Sequence, residues 1–183
     1  MPRAQTQSFI SPRPTAVYSG TVYVADFGGS RIRLATTSGV VTTLAGGARY
    51  GSANGVSTAA SFYFPRCVAM DASSGVAYVA DSENYLIRAI TPGGAVSTLA
   101  GSGAMGATNG LGTAASFMHP FGVAVDAAGN VIVADGYMIR KMTPSGVIRK
   151  MTPSGVVSTV WASAGLSAAK RGCGPTSSLA EAQ

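Results

Sequence analysis

Three aspartates close three copies of one phrase: Tyr23-Val24-Ala25-Asp26, Tyr78-Val79-Ala80-Asp81 and Ile132-Val133-Ala134-Asp135. Carboxylates can hold a cation or move a proton, but only where several converge. Steps of 55 and 54 residues put these three at equivalent places in successive structural units, apart from one another. A short carboxylate beside a turn suits a different task, accepting backbone N–H groups in that turn. That is the role expected of Asp26, Asp71, Asp81, Asp126 and Asp135.

Other reactive side chains are few. His119 is the single histidine, and Phe64 stands at its place one unit earlier, so the position takes an aromatic ring without demanding imidazole. No Gly-x-Ser-x-Gly elbow precedes a helix, and one distant histidine makes no triad. Cys67 lies in an apolar run and Cys173 in a Gly/Ser-rich tail; they form neither a disulfide framework nor a zinc spacing. No catalytic residue, metal ligand or cofactor is therefore assigned. Arg33, Arg88 and Arg140 each follow an isoleucine. They could form a ring of cations for an anionic partner, but solvated or aspartate-paired arginines are the preferred reading.

The elements that must position these residues are short strands. In the second unit Cys67 to Met70, Val76 to Ala80, Leu86 to Ile90 and Ala95 to Ala100 are β-forming runs. Asp71 to Gly75, Asp81 to Asn84 and Thr91-Pro92-Gly93-Gly94 separate them, the last suited to a tight turn. The third unit repeats the order with Gly122 to Val125, Val131 to Ala134 and Met138 to Met142. The first unit reads as cropped, its first strand being Thr15 to Tyr18. Near-continuous apolar inner strands mean burial on both faces. Four-stranded units flanked by like units around an axis are β-propeller blades. The predicted fold is all-β: an incomplete propeller of three four-stranded antiparallel blades at about 14–47, 63–102 and 118–162, about twelve strands in all. Small-residue linkers such as Gly101 to Phe117 join the blades, and 1–13 and 163–183 are expected to be disordered.

Within the third unit, residues 139–147 are repeated without change as 148–156. This reads as a recent duplication, or a flaw in the sequence, that enlarges the blade. Either it adds a strand at 148–151, with 156–161 as a fifth, outer one, or one copy bulges out; the added strand is the preferred expectation.

Charge bears on partners. The chain carries a net +6, but between Val22 and Val147 seven basic residues face six acidic ones. A surface tracking phosphates would concentrate charge on the folded face, so nucleic acid is not the expected partner. No stretch approaches a membrane span, and Met1 to Gly20 holds no signal-like apolar run. The compartment is left open.

The shape Pro-x-Gly-Val-Ala-Val-Asp…Val-Tyr-Val-Ala-Asp…Asn-His-x-Ile-Arg-x-Ile-Thr-Pro-x-Gly-x-Val-x-Thr-Leu-Ala-Gly resembles the NHL repeat, over residues 14 to 162. The naming triplet reads Asn84-Tyr85-Leu86 in copy two and Gly29-Ser30-Arg31 in copy one, and the third copy's loop is two residues shorter. The resemblance implies a propeller whose ligands sit on the channel rim. There Arg66 and Phe121, just after Pro65 and Pro120, join His119, Asn84 and Tyr85 as candidate binding residues. Lyases of the family bind metal through several histidines, which this chain lacks. The expected function is a non-catalytic binding or protein-interaction module, for an unknown protein or small-molecule ligand. The alternatives are a propeller hydrolase or lyase with its centre on the axis, and an RNA-binding surface. Three blades do not close a ring, so adjoining blades of a larger propeller, or self-association, are expected to cover the open faces.

Overall fold

The computed structural model describes residues 9–47, 49–136, 138–142, 148–149 and 159–162. Its strands form three antiparallel meanders. The first blade runs β1 (Pro12–Tyr18), β2 (Thr21–Asp26), β3 (Arg31–Thr36), β4 (Val41–Ala45), in that spatial order. A two-residue strand, β5 (Gly55–Val56), lies in the following linker. The second blade is β6 (Pro65–Met70), β7 (Ala77–Asp81), β8 (Leu86–Ile90), β9 (Ala95–Ala100), and β5 pairs outside β9 as a fifth strand. The third blade holds β10 (Pro120–Val125), β11 (Val131–Asp135), β12 (Met138–Met142), β13 (Ile148–Arg149) and β14 (Thr159–Ala162). Helix among the described residues is limited to three single 3-10 turns, Ser57–Ala59, Ser82–Asn84 and Gly112–Ala114.

The turns follow from their residues. Gly39 and Gly94 hold φ of 81°, where a side chain would be strained, and their N–H groups donate to Thr36 and Thr91 carbonyls at 3.0 and 2.9 Å. Each blade also carries two irregularities at fixed places. In the first-to-second strand pairing, Arg66 and Phe121 are extra residues: Pro65 faces Asp81 and Cys67 faces Ala80, while Pro120 faces Asp135 and Gly122 faces Ala134. A second shift falls between Ile32 and Arg33, Ile87 and Arg88, and Ile139 and Arg140. Bulges of this kind re-aim side chains. The first set turns residues toward one rim, and in blades one and two the second accompanies arginines turned inward, Arg33 and Arg88.

Packing is blade against blade. One core cluster joins Ala25, Ile32, Ala45 and Phe62 to Val68, Ala77, Val79, Ile90 and Val96. The other joins Cys67, Tyr78, Ala80, Ile87 and Ala100 to Ala115, Phe117, Val123, Val131 and Val133. The second blade is thus buried on both faces, which explains why β7 is buried at every position.

Several expectations are corrected. Residues 9–13 are not a disordered lead. Ile10 N–H donates to Asp26 Oδ1, Gly28 N–H donates to Ile10 O, and β1 begins at Pro12, so the first blade is not cropped. Ser8-Phe9-x-x-Pro12-Arg13 repeats Ser61-Phe62-x-x-Pro65-Arg66, and burial of the aromatic ring drives the same docking. Residues 1–8 and 163–183 lie outside the described residues.

The duplication does not add a strand plus a further outer one either. β13 pairs Met142 and Lys141 of β12, and β14 pairs Met138 to Arg140 of the same strand. Arg140 faces Thr159 as Arg88 faces Thr98 and Arg33 faces Thr43. The two pieces therefore share the place of one fourth strand, because the free edge of β12 has room for a single partner. Cys67 is fully buried in the core between blades two and three, and the Val123 amide donates to its sulfur at 3.4 Å.

Candidate functional site

Each blade is closed by a lock between the segment entering its first strand and the aspartate ending its second. Tyr63 N–H donates to Asp81 Oδ1 at 2.8 Å, and Met118 and His119 N–H both donate to Asp135 Oδ1 at 2.8 Å. Ile10 makes the same bond to Asp26. These aspartates accept backbone N–H groups 16 to 18 residues upstream. Asp71 and Asp126 do serve their own turns, accepting from Ser73 N–H and from Ala128 and Asn130 N–H.

The repeated arginines belong to the lock. Arg88 is fully buried; its Nη1 donates to Asp81 Oδ2 at 2.9 Å and its Nη2 to Ala53 O and Asn54 Oδ1. Its guanidinium lies 5.4 Å from the Phe62 ring centroid, as Arg33 lies 5.7 Å from Phe9. Arg33 Nη1 sits 3.6 Å from Asp26. Both arginines are aspartate-paired inside the blade and do not present a ring of cations. Burial lifts the Asp81 carboxyl to about 6, against the opposing pull of Asn84, Tyr63 N–H and Arg88.

The locks bring strand entries and bulges to one edge of the sheets, and there an aromatic rim forms between blades one and two. Phe27 stacks on Phe64 with centroids 4.6 Å apart. Phe64 touches Tyr63 at 4.9 Å and Tyr50 at 5.3 Å, and Tyr50 stacks on Tyr63 at 5.1 Å. Arg13 and Arg66 lie 4.7 and 5.2 Å from the Phe27 centroid. Tyr50 is 59% and Tyr63 37% exposed. Beside them opens a pocket of about 490 Å³, lined in part by Arg49, Tyr50, Thr58 and Ser61. One carboxylate faces this set: Glu83, 3.8 Å from Arg66.

Of the residues marked in the sequence, Arg66 belongs to this rim. Tyr85 and His119 meet 5.4 Å apart between blades two and three, with His119 exposed and Phe121 half-buried. Asn84 instead faces inward, its Nδ2 donating to Asp81 Oδ2 and Gly51 O. Arg13, Phe27, Tyr50 and Tyr63 were not singled out in the sequence. The signal was the local density of rings at Tyr50, Tyr63 and Phe64, but the contact spans two blades and a linker.

Chemically the rim offers ring faces and guanidinium groups. Such a surface stacks flat rings and attracts anions. The described residues contain no group of three histidine, cysteine or carboxylate side chains placed to hold a metal. The buried aspartates hold main-chain groups and arginines.

Residues 62–90 match the NHL repeat. No curated protein matches the chain significantly. Solved structures do. A structural genomics protein of unknown function from Bacteroides thetaiotaomicron VPI-5482 is 26% identical with a TM-score of 0.63, the match covering 67% of this chain and 32% of that one. An auxiliary nutrient binding protein from the same strain is 23% identical with a TM-score of 0.56, over 63% and 32%. Virginiamycin B lyase from Staphylococcus aureus is 17% identical with a TM-score of 0.55, over 79% and 43%. The last two likenesses speak for the fold alone. The chain spans about a third of the length of the two Bacteroides proteins. It folds as an incomplete, three-bladed β-propeller that carries an NHL repeat at residues 62–90.

Proposed function

We propose that this chain is a non-catalytic binding module whose rim between blades one and two takes a ring-bearing anionic ligand. The observation that carries the reading is the Phe27–Phe64 stack, with Arg13 and Arg66 against it and two exposed tyrosines beside it. Three cations, Arg13, Arg49 and Arg66, face one carboxylate, Glu83, so charge favours an anion. Stacked rings alone serve packing, but Tyr50 and Tyr63 keep surface that nothing in the blades covers. The propeller-enzyme reading draws only on a fold-level likeness to a lyase, and the rim offers no paired acid and base.

The test is a thermal-shift panel of nucleotides, aromatic carboxylates and acidic sugars, followed by calorimetric titration of the hits. Binding of at least one anionic class is expected, weaker for its neutral analogue. Tyr63→Ala and Arg66→Ala should each lower affinity by about 5- to 30-fold while leaving the ligand-free melting temperature nearly unchanged. Absence of binding across the panel, or turnover in an ester and lactone screen, would overturn the proposal.

A further inference from the structure

The entry into blade three is built on the same scaffold as the entry into blade two, with different side chains on it. Gly51 N–H donates to Phe62 O at 3.2 Å and Gly106 N–H to Phe117 O at 2.9 Å. Ala53 N–H and Thr108 N–H donate to Ser61 Oγ and Ser116 Oγ, each at 2.9 Å. A constant step of 55 residues thus equates Tyr50, Tyr63 and Phe64 with Met105, Met118 and His119. In the first set the three rings meet one another, with centroids 4.9 to 5.3 Å apart. The second set brings two thioethers and the chain's single histidine to the same three places.

The local backbone holds them there. Met105 bridges to Phe117, the residue before Met118. Met118 N–H and His119 N–H share Asp135 Oδ1, and Gly136 N–H donates to His119 O at 3.2 Å. Phe64 N–H instead donates to Ser30 Oγ, so the backbones differ at this position. The imidazole nevertheless faces the matching place in the preceding blade: it lies 5.4 Å from the ring of Tyr85, the equivalent of Ser30. Met105 is 62% and Met118 36% exposed, and His119 is exposed as well. Methionine is ordinarily a core residue. Two at adjoining surface places, beside the only histidine, make a donor set open to solvent. It lies between blades two and three, away from both ends of the row.

Charge changes in the same direction. Arg49 and Arg66, which make the neighbouring rim cationic, are replaced at the matching positions by Ala104 and Phe121. The place therefore lacks the groups that would repel a cation and gains neutral, polarisable donors. Thioethers select soft metals, copper(I) among them, and imidazole is a copper ligand too. Calcium and magnesium demand oxygen, and zinc favours thiolate, imidazole or carboxylate. We propose that Met105, Met118 and His119 bind one copper(I) ion through two sulfurs and an imidazole nitrogen.

The test labels the methyl groups of the seven methionines with carbon-13 and titrates the chain, in chloride-free buffer, with silver(I), a redox-inert cation of the same charge and softness. Two methyl signals should shift, and Met105→Leu and Met118→Leu should each delete one of them. Copper(I), kept reduced under nitrogen and competed against a chromophoric chelator, should bind once per chain. Each leucine variant, and His119→Phe, should weaken that binding by at least about 10-fold, since even groups behind a metal ligand are worth that much. Zinc(II) should move neither signal. Leucine keeps the size and apolarity of methionine, and phenylalanine is the residue blade two has at this place, so circular dichroism should be unchanged. Unmoved Met105 and Met118 signals, equal affinity in the variants, or copper(I) binding that persists in the double leucine variant and so belongs to other groups would each overturn the proposal.

Discussion

Arg88 and Asp81 form a wholly buried ion pair at 2.9 Å that ties the third strand of blade two to the end of its second. The same guanidinium reaches back 34 and 35 residues to Asn54 and Ala53 in the linker from blade one. One side chain thus couples two blades.

Removing one partner leaves the other charge buried without compensation. Arg88→Ala is expected to lower stability at pH 7 by about 3–5 kcal/mol. Arg88 and Asp81 share a network, so Arg88→Ala with Asp81→Ala should cost less than the sum of the single changes. Urea unfolding of the four chains measures this; strict additivity would show that the pair is not coupled.

The Asp81 carboxyl is lifted to about 6, above the roughly 3.9 of an unfolded chain. Between those values the native state holds a proton that the unfolded chain has released. The stability this group contributes is full below about pH 4 and is lost as pH rises through 6. Asp71 acts in the opposite sense at lower pH, held down by hydrogen bonds from Ser74 and Ser73. The melting temperature should therefore fall between about pH 4.5 and 7. A rise across that window would contradict the assignment.

Phe9 is to Arg33 what Phe62 is to Arg88. Phe9→Ala should destabilise the protein by about 1–2 kcal/mol, from lost ring burial and cation–π contact. Denaturant midpoints decide it. A neutral result would place residues before Pro12 outside the first blade.

Deleting residues 148–156 joins Val147 directly to Val157 and lets one uninterrupted strand pair the whole of β12, in the register of β9 on β8. The deleted chain should melt at the same temperature or higher, since one continuous strand then takes the place on β12 that β13 and β14 share. A clear loss of stability would show that the duplicated unit makes contacts of its own.

The blade count, the strand order and the propeller class were legible in the residues, because they rest on local regularities repeated at a fixed step. Short apolar runs, Thr-Pro-x-Gly turns and the three Val-Ala-Asp endings each declare themselves within ten residues. The first blade's opening was legible too, in Ser8-Phe9 and Pro12-Arg13, yet its step of 53 residues breaks the period seen elsewhere. Tertiary structure alone decided where polar groups find partners. Asp81 looks like a turn residue until pairing of β6 with β7 carries the Tyr63 amide, 18 residues away, onto its oxygen. Arg88 reads as a solvated or aspartate-paired cation, and nothing local shows that it turns inward toward Asn54. The rim joins Phe27 of one blade to Phe64 of the next. Strand runs and turns are encoded by neighbours along the chain, whereas a site made across two sheets exists only once their faces have packed.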